Sequence, residues 1–167
     1  MVHAVRIHEV GGPELLRWEE VTLAEPGPGE VRLRQRAIGL NYIDTYHRSG
    51  LYPLPALPAV LGVEGAGVVE AVGPAVTRFK AGDRVAYAGP LGGYAEARLI
   101  AADRLVALPD WIDFAQAAAM MLQGMTAEFL LRRVYRVRAG DAVLVQAAAG
   151  RVGGCCSASG RAGSARR

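Results

Sequence analysis

Ala142-Val143-Leu144-Val145-Gln146-Ala147-Ala148-Ala149-Gly150-Arg151-Val152-Gly153 is the stretch on which the fold turns. Its first five residues form a short apolar run, as expected of a strand buried on both faces of a parallel sheet. Small residues follow at once, spaced Ala148-x-Gly150-x-x-Gly153. A turn of this kind lets bare backbone approach a pyrophosphate, and the amides of the helix that starts there hold the negative charge. Alanine stands in the place of the fingerprint's first glycine, so by itself the turn is a weak signature, with a ligand-free turn as the competing reading. The preceding sequence adds weight. Asp113 is placed as an N-cap, Phe114 to Met121 is rich in alanine and methionine, and after Gly124 the helical spacing resumes over Thr126 to Tyr135. Ala139-Gly140-Asp141 reads as a turn. Helix, buried strand and small-residue turn in this order open a doubly wound α/β domain.

Upstream the pattern is different. Apolar and polar residues alternate from Met1 to Arg6, and Leu15 to Val21 reads as a second strand. Glu30 to Ile38 is a half-buried strand with Val31, Leu33, Gln35 and Ala37 on one face. Asn41 to Ser49 forms a short helix before Gly50, and prolines 53, 55 and 58 punctuate the loop after it. Val63 to Val72, Arg84 to Ala88 and Tyr94 to Ile100 are further strands between Gly/Pro turns. Short strands at regular spacing predict a compact, barrel-like β domain up to about residue 108.

The totals agree with a soluble globular chain. Of 167 residues, 51% are apolar and 21% charged, too apolar for a disordered segment. No apolar run is long enough to span a membrane, and the N-terminus lacks the layout of a signal peptide, so a cytoplasmic address is expected. The net charge of +3 is carried by arginine, Lys80 being the only lysine. Basic and acidic residues alternate through the body, and the surplus sits at Arg151, Arg161, Arg166 and Arg167, so no nucleic-acid surface is expected. Cys155 and Cys156 are adjacent, which disfavours a disulfide between them. His3, His8 and His47 are scattered, and nothing has metal-ligand spacing.

Six motifs occur in order: Asn41-Tyr42-Ile43-Asp44, Gly62-Val63-Glu64-Gly65-Ala66-Gly67-Val68-Val69, Gly82-Asp83-Arg84-Val85, Gly93-Tyr94-Ala95-Glu96, Gln123-Gly124-Met125-Thr126-Ala127 and Gln146-Ala147-Ala148-Ala149-Gly150. Together they resemble the zinc-free, zeta-crystallin-like quinone oxidoreductases of the medium-chain dehydrogenase/reductase superfamily, over residues 1 to about 153. The resemblance implies a GroES-like, mostly β catalytic domain (1–108), followed by the incomplete start of a Rossmann domain (109–153: helix, strand, glycine turn). It implies NADPH as cofactor and a quinone or activated alkene as the small-molecule substrate, with complete members pairing as homodimers. Asn41 matches the family's active-site asparagine. Tyr46 and Tyr52 match tyrosines lining the cleft, Thr126 a threonine near the nicotinamide, and Ala148, Gly150 and Gly153 the pyrophosphate turn.

Each residue also has a plainer reading. Asn41 can cap or tie a turn, Tyr46 can be ordinary core, and Tyr52 can anchor its loop. Thr126 can bond its own helix backbone. Glu64 reads as a buried hydrogen-bond acceptor. Zinc-dependent relatives carry Gly-His-Glu where this chain has Gly62-Val63-Glu64, and valine cannot ligate a metal, so no metal site is expected. Another zinc-free reductase, such as an enoyl reductase, and an inactive fragment or binding module are the alternative functions.

The resemblance stops at Gly153. Residues 154–167 are rich in Gly, Ser and Arg without apolar period, and are not expected to form a helix. A shifted reading frame is one reading of them: Gly153 to Gly160 can be encoded by GGG GGC TGC TGC TCT GCC AGT GGG, a string that two bases later reads Gly-Leu-Leu-Leu-Cys-Gln-Trp, an apolar helix opening; a natural short tail is the other reading. On either reading the 167-residue chain binds NADPH poorly. It also leaves Met120, Met121, Leu130 and Leu131 exposed.

Overall fold

The computed structural model describes residues 1–138 and 140–164, with side chains through residue 157. The described chain divides into two compact units, Met1–Ala119 and Met120–Arg167.

The first unit is built from antiparallel strands. A three-stranded sheet has β1 (Val2–Ile7) between β2 (Arg17–Val21) and β4 (Ala59–Val60). A five-stranded sheet runs β7 (Ala97–Ala101), β3 (Glu30–Gly39), β5 (Glu64–Val72), β6 (Arg84–Ala88), β8 (Val106–Ala107). An isolated bridge from Ala4 to Ala95 joins β1 to the segment leading into β7. This is the mostly β, GroES-like architecture expected. The alternation in β3 places Val31 and Leu33 inward, where they meet Val69, Phe79, Val85, Tyr87, Ile100 and Leu105 in one core. Burying each such side chain contributes about 1.5–3 kcal/mol.

Register shifts in the β3–β5 pairing fall at Arg32/Leu33 and Gln35/Ala37. Bulges of this kind bend a strand and re-aim its side chains. Gln35 donates from Nε2 to the carbonyls of Gly93 and Ala95, at 2.7 Å each, and accepts from Tyr87 Oη at 2.5 Å. Burial pushes the Tyr87 phenol above its ordinary pKa, the nearby Arg98 opposing this, so the hydroxyl is a donor.

One helix, α1 (Tyr42–Ser49), lies between β3 and β4 in sequence and ends at Gly50 in the left-handed conformation. The next helix, α2 (Phe114–Glu128), opens as read from Asp113, whose Oδ1 accepts from the Gln116 N–H at 2.7 Å. Arg84 ties this opening to β6. Its guanidinium lies 4.6 Å from the Phe114 ring centroid and donates to the carbonyls of Pro109 and Ile112 at 3.1 and 2.6 Å.

Three expectations for the second unit are corrected. First, α2 runs unbroken through Gly124, and the chain continues as a widened, π-type turn over Phe129–Val134 instead of a second α-helix. A Cβ at Gly124 would meet nothing within 4 Å, so no bend is imposed there. Second, residues 142–146 form no strand among the described residues, and Leu144 is 86% exposed. A parallel strand exists only when a neighbour takes its backbone groups, and no described segment pairs with it. Third, residues 151–164 form a helix, α3 (Arg151–Ser164). The preceding turn starts it, and alanine, serine and arginine tolerate helical geometry despite the helix cost of the glycines. Of the expected turn, Ala139 lies outside the described residues. Met120 and Leu130 are exposed as expected, whereas Met121 and Leu131 are half-buried.

Candidate functional site

Asn41 sits where β3 ends and α1 begins. It is the N-cap of α1, so the capping reading holds. Its backbone N–H donates to Asp44 Oδ2 at 2.9 Å, the reciprocal half of a capping box. The side chain reaches elsewhere: Nδ2 donates to Glu64 Oε1 at 2.8 Å. Glu64 is wholly buried at the start of β5, and it is the buried acceptor that was expected. Its register partner on β3 is Gly39, and only a glycine fits there. A Cβ on Gly39 would strike the Glu64 side chain and lie 2.5 Å from the Ala118 carbonyl oxygen.

A third chain segment completes the cluster. Tyr94 Oη donates to Asp44 Oδ2 at 2.6 Å. Burial first, then this hydrogen bond, raise the Tyr94 phenol well above its ordinary pKa, so it stays protonated. Asp44 is itself buried. Sequence reading missed Tyr94 and Asp44 as site residues, because nothing local links positions 50 residues apart.

Tyr46 and Tyr52 come together with two more rings of α1. Tyr46 lies 5.3 Å from Tyr42 edge-on and 5.3 Å from Tyr52 at a tilt, and His47 stands 5.8 Å from Tyr52. The Tyr52 N–H also donates to the Tyr46 carbonyl at 3.1 Å. Tyr46 is half-buried, while Tyr52 and Tyr42 are 44% and 76% exposed. The rings form a partly exposed aromatic wall, a geometry suited to a flat ligand.

In the second unit residues 146–149 form a turn ahead of α3. Ala147 adopts a φ of 48°, Gly150 N–H donates to the Ala147 carbonyl at 2.7 Å, and Gly154 N–H to Gly150 at 2.8 Å as α3 starts. Gly153 is buried against Ala148. A Cβ there would collide with the Ala147 carbonyl and come to 2.7 Å from Ala148 Cα. Thr126 takes its plainer role, its hydroxyl donating to the Leu122 carbonyl one turn back at 2.7 Å. Among the described residues no group of three or more His, Cys, Asp or Glu is placed to hold a metal ion, and no helix is long and apolar enough to cross a membrane.

Comparison with known proteins agrees with this architecture. Residues 27–110 match the alcohol dehydrogenase GroES-like domain. A quinone oxidoreductase of Pseudomonas aeruginosa is 60% identical over 92% of the chain, and a 2-haloacrylate reductase of a Burkholderia species is 49% identical over 92%. The crystal structure of Escherichia coli quinone oxidoreductase complexed with NADPH superposes with a TM-score of 0.93 at 46% identity, over 96% of this chain and 50% of that one. The chain spans about half the length of the curated relatives it matches, 47% of the P. aeruginosa protein and 48% of the Burkholderia protein. The GroES-like core, the ordered motifs and the identity to these relatives together place the chain in the quinone oxidoreductase family of the medium-chain dehydrogenase/reductase superfamily.

Proposed function

We propose that this chain is the catalytic-side half of an NADPH-dependent quinone reductase, with Asn41 facing the reacting ring. The observation that carries this reading is the tethered Asn41 amide, held through Glu64 at 2.8 Å and through its own backbone at 2.9 Å. Hydride transfer needs two rings held close and in order, with little proton chemistry. A fixed amide suits that task because it can orient a carboxamide or carbonyl without titrating. NADPH, when bound, supplies the hydride. Gly150 and Gly153 leave the backbone bare where its pyrophosphate would lie, and the first amides of α3 would hold the phosphate charge. Tyr46 and Tyr52 form the wall against which a planar acceptor stacks. Thr126, its hydroxyl bonded to Leu122, is assigned a packing role beside the nicotinamide. NADPH is taken as cofactor because the similar E. coli protein was crystallised with it.

A second substrate reading has its own support. The Burkholderia relative is a 2-haloacrylate reductase, so an activated alkene is the alternative acceptor for the same site. One experiment separates them. Residues 1–153 are joined to the remaining half of the P. aeruginosa relative, and NADPH oxidation is followed with 1,4-benzoquinone and with 2-chloroacrylate. Quinone-dependent turnover is expected, reduced at least tenfold by Asn41→Ala, toward the roughly 10²-fold that misplacing a reacting group costs. A folded graft that binds NADPH yet turns over neither acceptor would overturn the reading.

A further inference from the structure

Asn41 is held by more than its own helix. Three segments far apart in sequence converge on it: the first turn of α1 through Asp44, the start of β5 through Glu64, and the segment before β7 through Tyr94. Tyr94 acts through Asp44. It donates to the same Asp44 Oδ2 that accepts the Asn41 backbone N–H, at 2.6 and 2.9 Å. One carboxyl oxygen therefore couples the phenol to the residue that begins α1. Tyr94 is in turn fixed by its own backbone, its N–H donating to the Leu61 carbonyl at 2.8 Å and its carbonyl accepting from Val5 at 2.7 Å. Glu64 is wholly buried, and a Cβ on Gly39 would collide with its side chain. A capping box alone needs only the helix's own residues. A second carboxyl from β5 and a phenol from the segment before β7 exceed what holding a two-turn helix requires, whereas a side-chain amide that must keep one orientation needs such support.

We infer that Tyr94, Asp44 and Glu64 are positioning residues: the Tyr94–Asp44 pair sets the backbone of Asn41, and Glu64 sets the plane of its amide. The inference rests on the reading of Asn41 as the residue facing the reacting ring. It adds that the rate depends on groups that touch neither cofactor nor acceptor. The protonated Tyr94 hydroxyl keeps the pair intact across the neutral range, consistent with a fixed scaffold.

Asn41 is the only asparagine in the chain, so ¹⁵N-asparagine labelling gives a single side-chain NH₂ pair to follow. The variants are Tyr94→Phe, which deletes one oxygen, Glu64→Met, which removes the acceptor at similar volume, and Glu64→Gln, which keeps an acceptor oxygen. In the 167-residue chain, Tyr94→Phe and Glu64→Met should move the NH₂ pair and speed its hydrogen exchange, with Glu64→Gln in between. In the grafted reductase, Tyr94→Phe should lower kcat about tenfold while KM for NADPH stays within about twofold. Tyr94→Phe is mild enough to remain folded should Glu64→Met fail. A shifted melting temperature with the NH₂ pair and kcat at wild-type values would overturn the inference, since a purely structural role gives that result. Failure of the functional reading looks different: Asn41→Ala would then retain full quinone turnover, whatever the NH₂ pair does.

Discussion

Replacing Gly39 by alanine should destabilise the β domain and untie Asn41 in one step. The added Cβ would fall inside contact distance of Glu64 Oε1 and Cγ and 2.5 Å from the Ala118 carbonyl oxygen. Neither neighbour can retreat cheaply, since Glu64 is wholly buried and the carbonyl belongs to the α2 backbone. Overpacking of this kind costs about 1–3 kcal/mol. Driving Glu64 off the Asn41 amide forfeits a hydrogen bond to a carboxyl group, about 1.5–3 kcal/mol. The two together come to about 2.5–6 kcal/mol, a large part of the roughly 5–15 kcal/mol that holds a domain together. At about 4 °C per kcal/mol for a domain near this size, the melting temperature should fall by about 10–24 °C. Thermal melts followed by far-UV circular dichroism give the number, and the ¹⁵N-asparagine pair reports the tether. Gly124→Ala is the opposite control: it adds a methyl where nothing lies within 4 Å, and should stabilise α2 by about 1 kcal/mol. A Gly39→Ala protein melting within about 3 °C of wild type, with the Asn41 signal unmoved, would refute the reasoning.

Tyr87→Phe removes the donor that Gln35 Oε1 accepts from at 2.5 Å inside the core, and should cost about 1–3 kcal/mol in urea melts with the cooperativity retained. Glu96 accepts from the His3 backbone N–H at 2.8 Å, which holds its carboxyl below the usual range. Its contribution is present above the unfolded-state pKa and is lost as pH falls through the lower folded value. The melting-temperature gap between wild type and Glu96→Gln should therefore be small, largest near neutrality, and closed in acid; a gap independent of pH would contradict this. Calorimetric titration of the 167-residue chain with NADPH should give binding weaker than about 1 mM, because residues 142–146 pair with no described strand and Leu144 is solvent-exposed. Micromolar affinity would show that the turn suffices alone.

Much of the β domain was legible because period-two alternation survives wherever one strand face is buried. β1, β3, β5 and β6 lie within a residue or two of where the pattern put them. β4 and β8 were not read, since two residues carry no period and their pairing is created by Arg6 and Ile7 on one side and Val85 and Ala86 on the other. The second unit was less legible for a different reason. Apolar Ala142 to Gln146 reads as a strand only if a neighbouring strand accepts its hydrogen bonds, and a local sequence window cannot supply that neighbour. The α3 helix went unread because glycine content was weighed without the turn that starts it. At the site, Asn41 was singled out from its motif, Tyr46 and Tyr52 from the family resemblance alone, and Glu64 as a buried acceptor. Tyr94 and Asp44 meet only after β5 and β7 have bracketed β3, so their pairing belongs to the topology and not to any local pattern.

The most direct test of the account follows the one asparagine through cofactor binding. The graft on the P. aeruginosa half is labelled with ¹⁵N-asparagine, with any asparagine of the added half assigned by an Asn41→Ala control, and titrated with NADPH. The Asn41 NH₂ pair should shift and saturate in step with NADPH fluorescence. If the cofactor binds by fluorescence while that pair keeps its free position, Asn41 does not face the nicotinamide and the reductase assignment of this site fails.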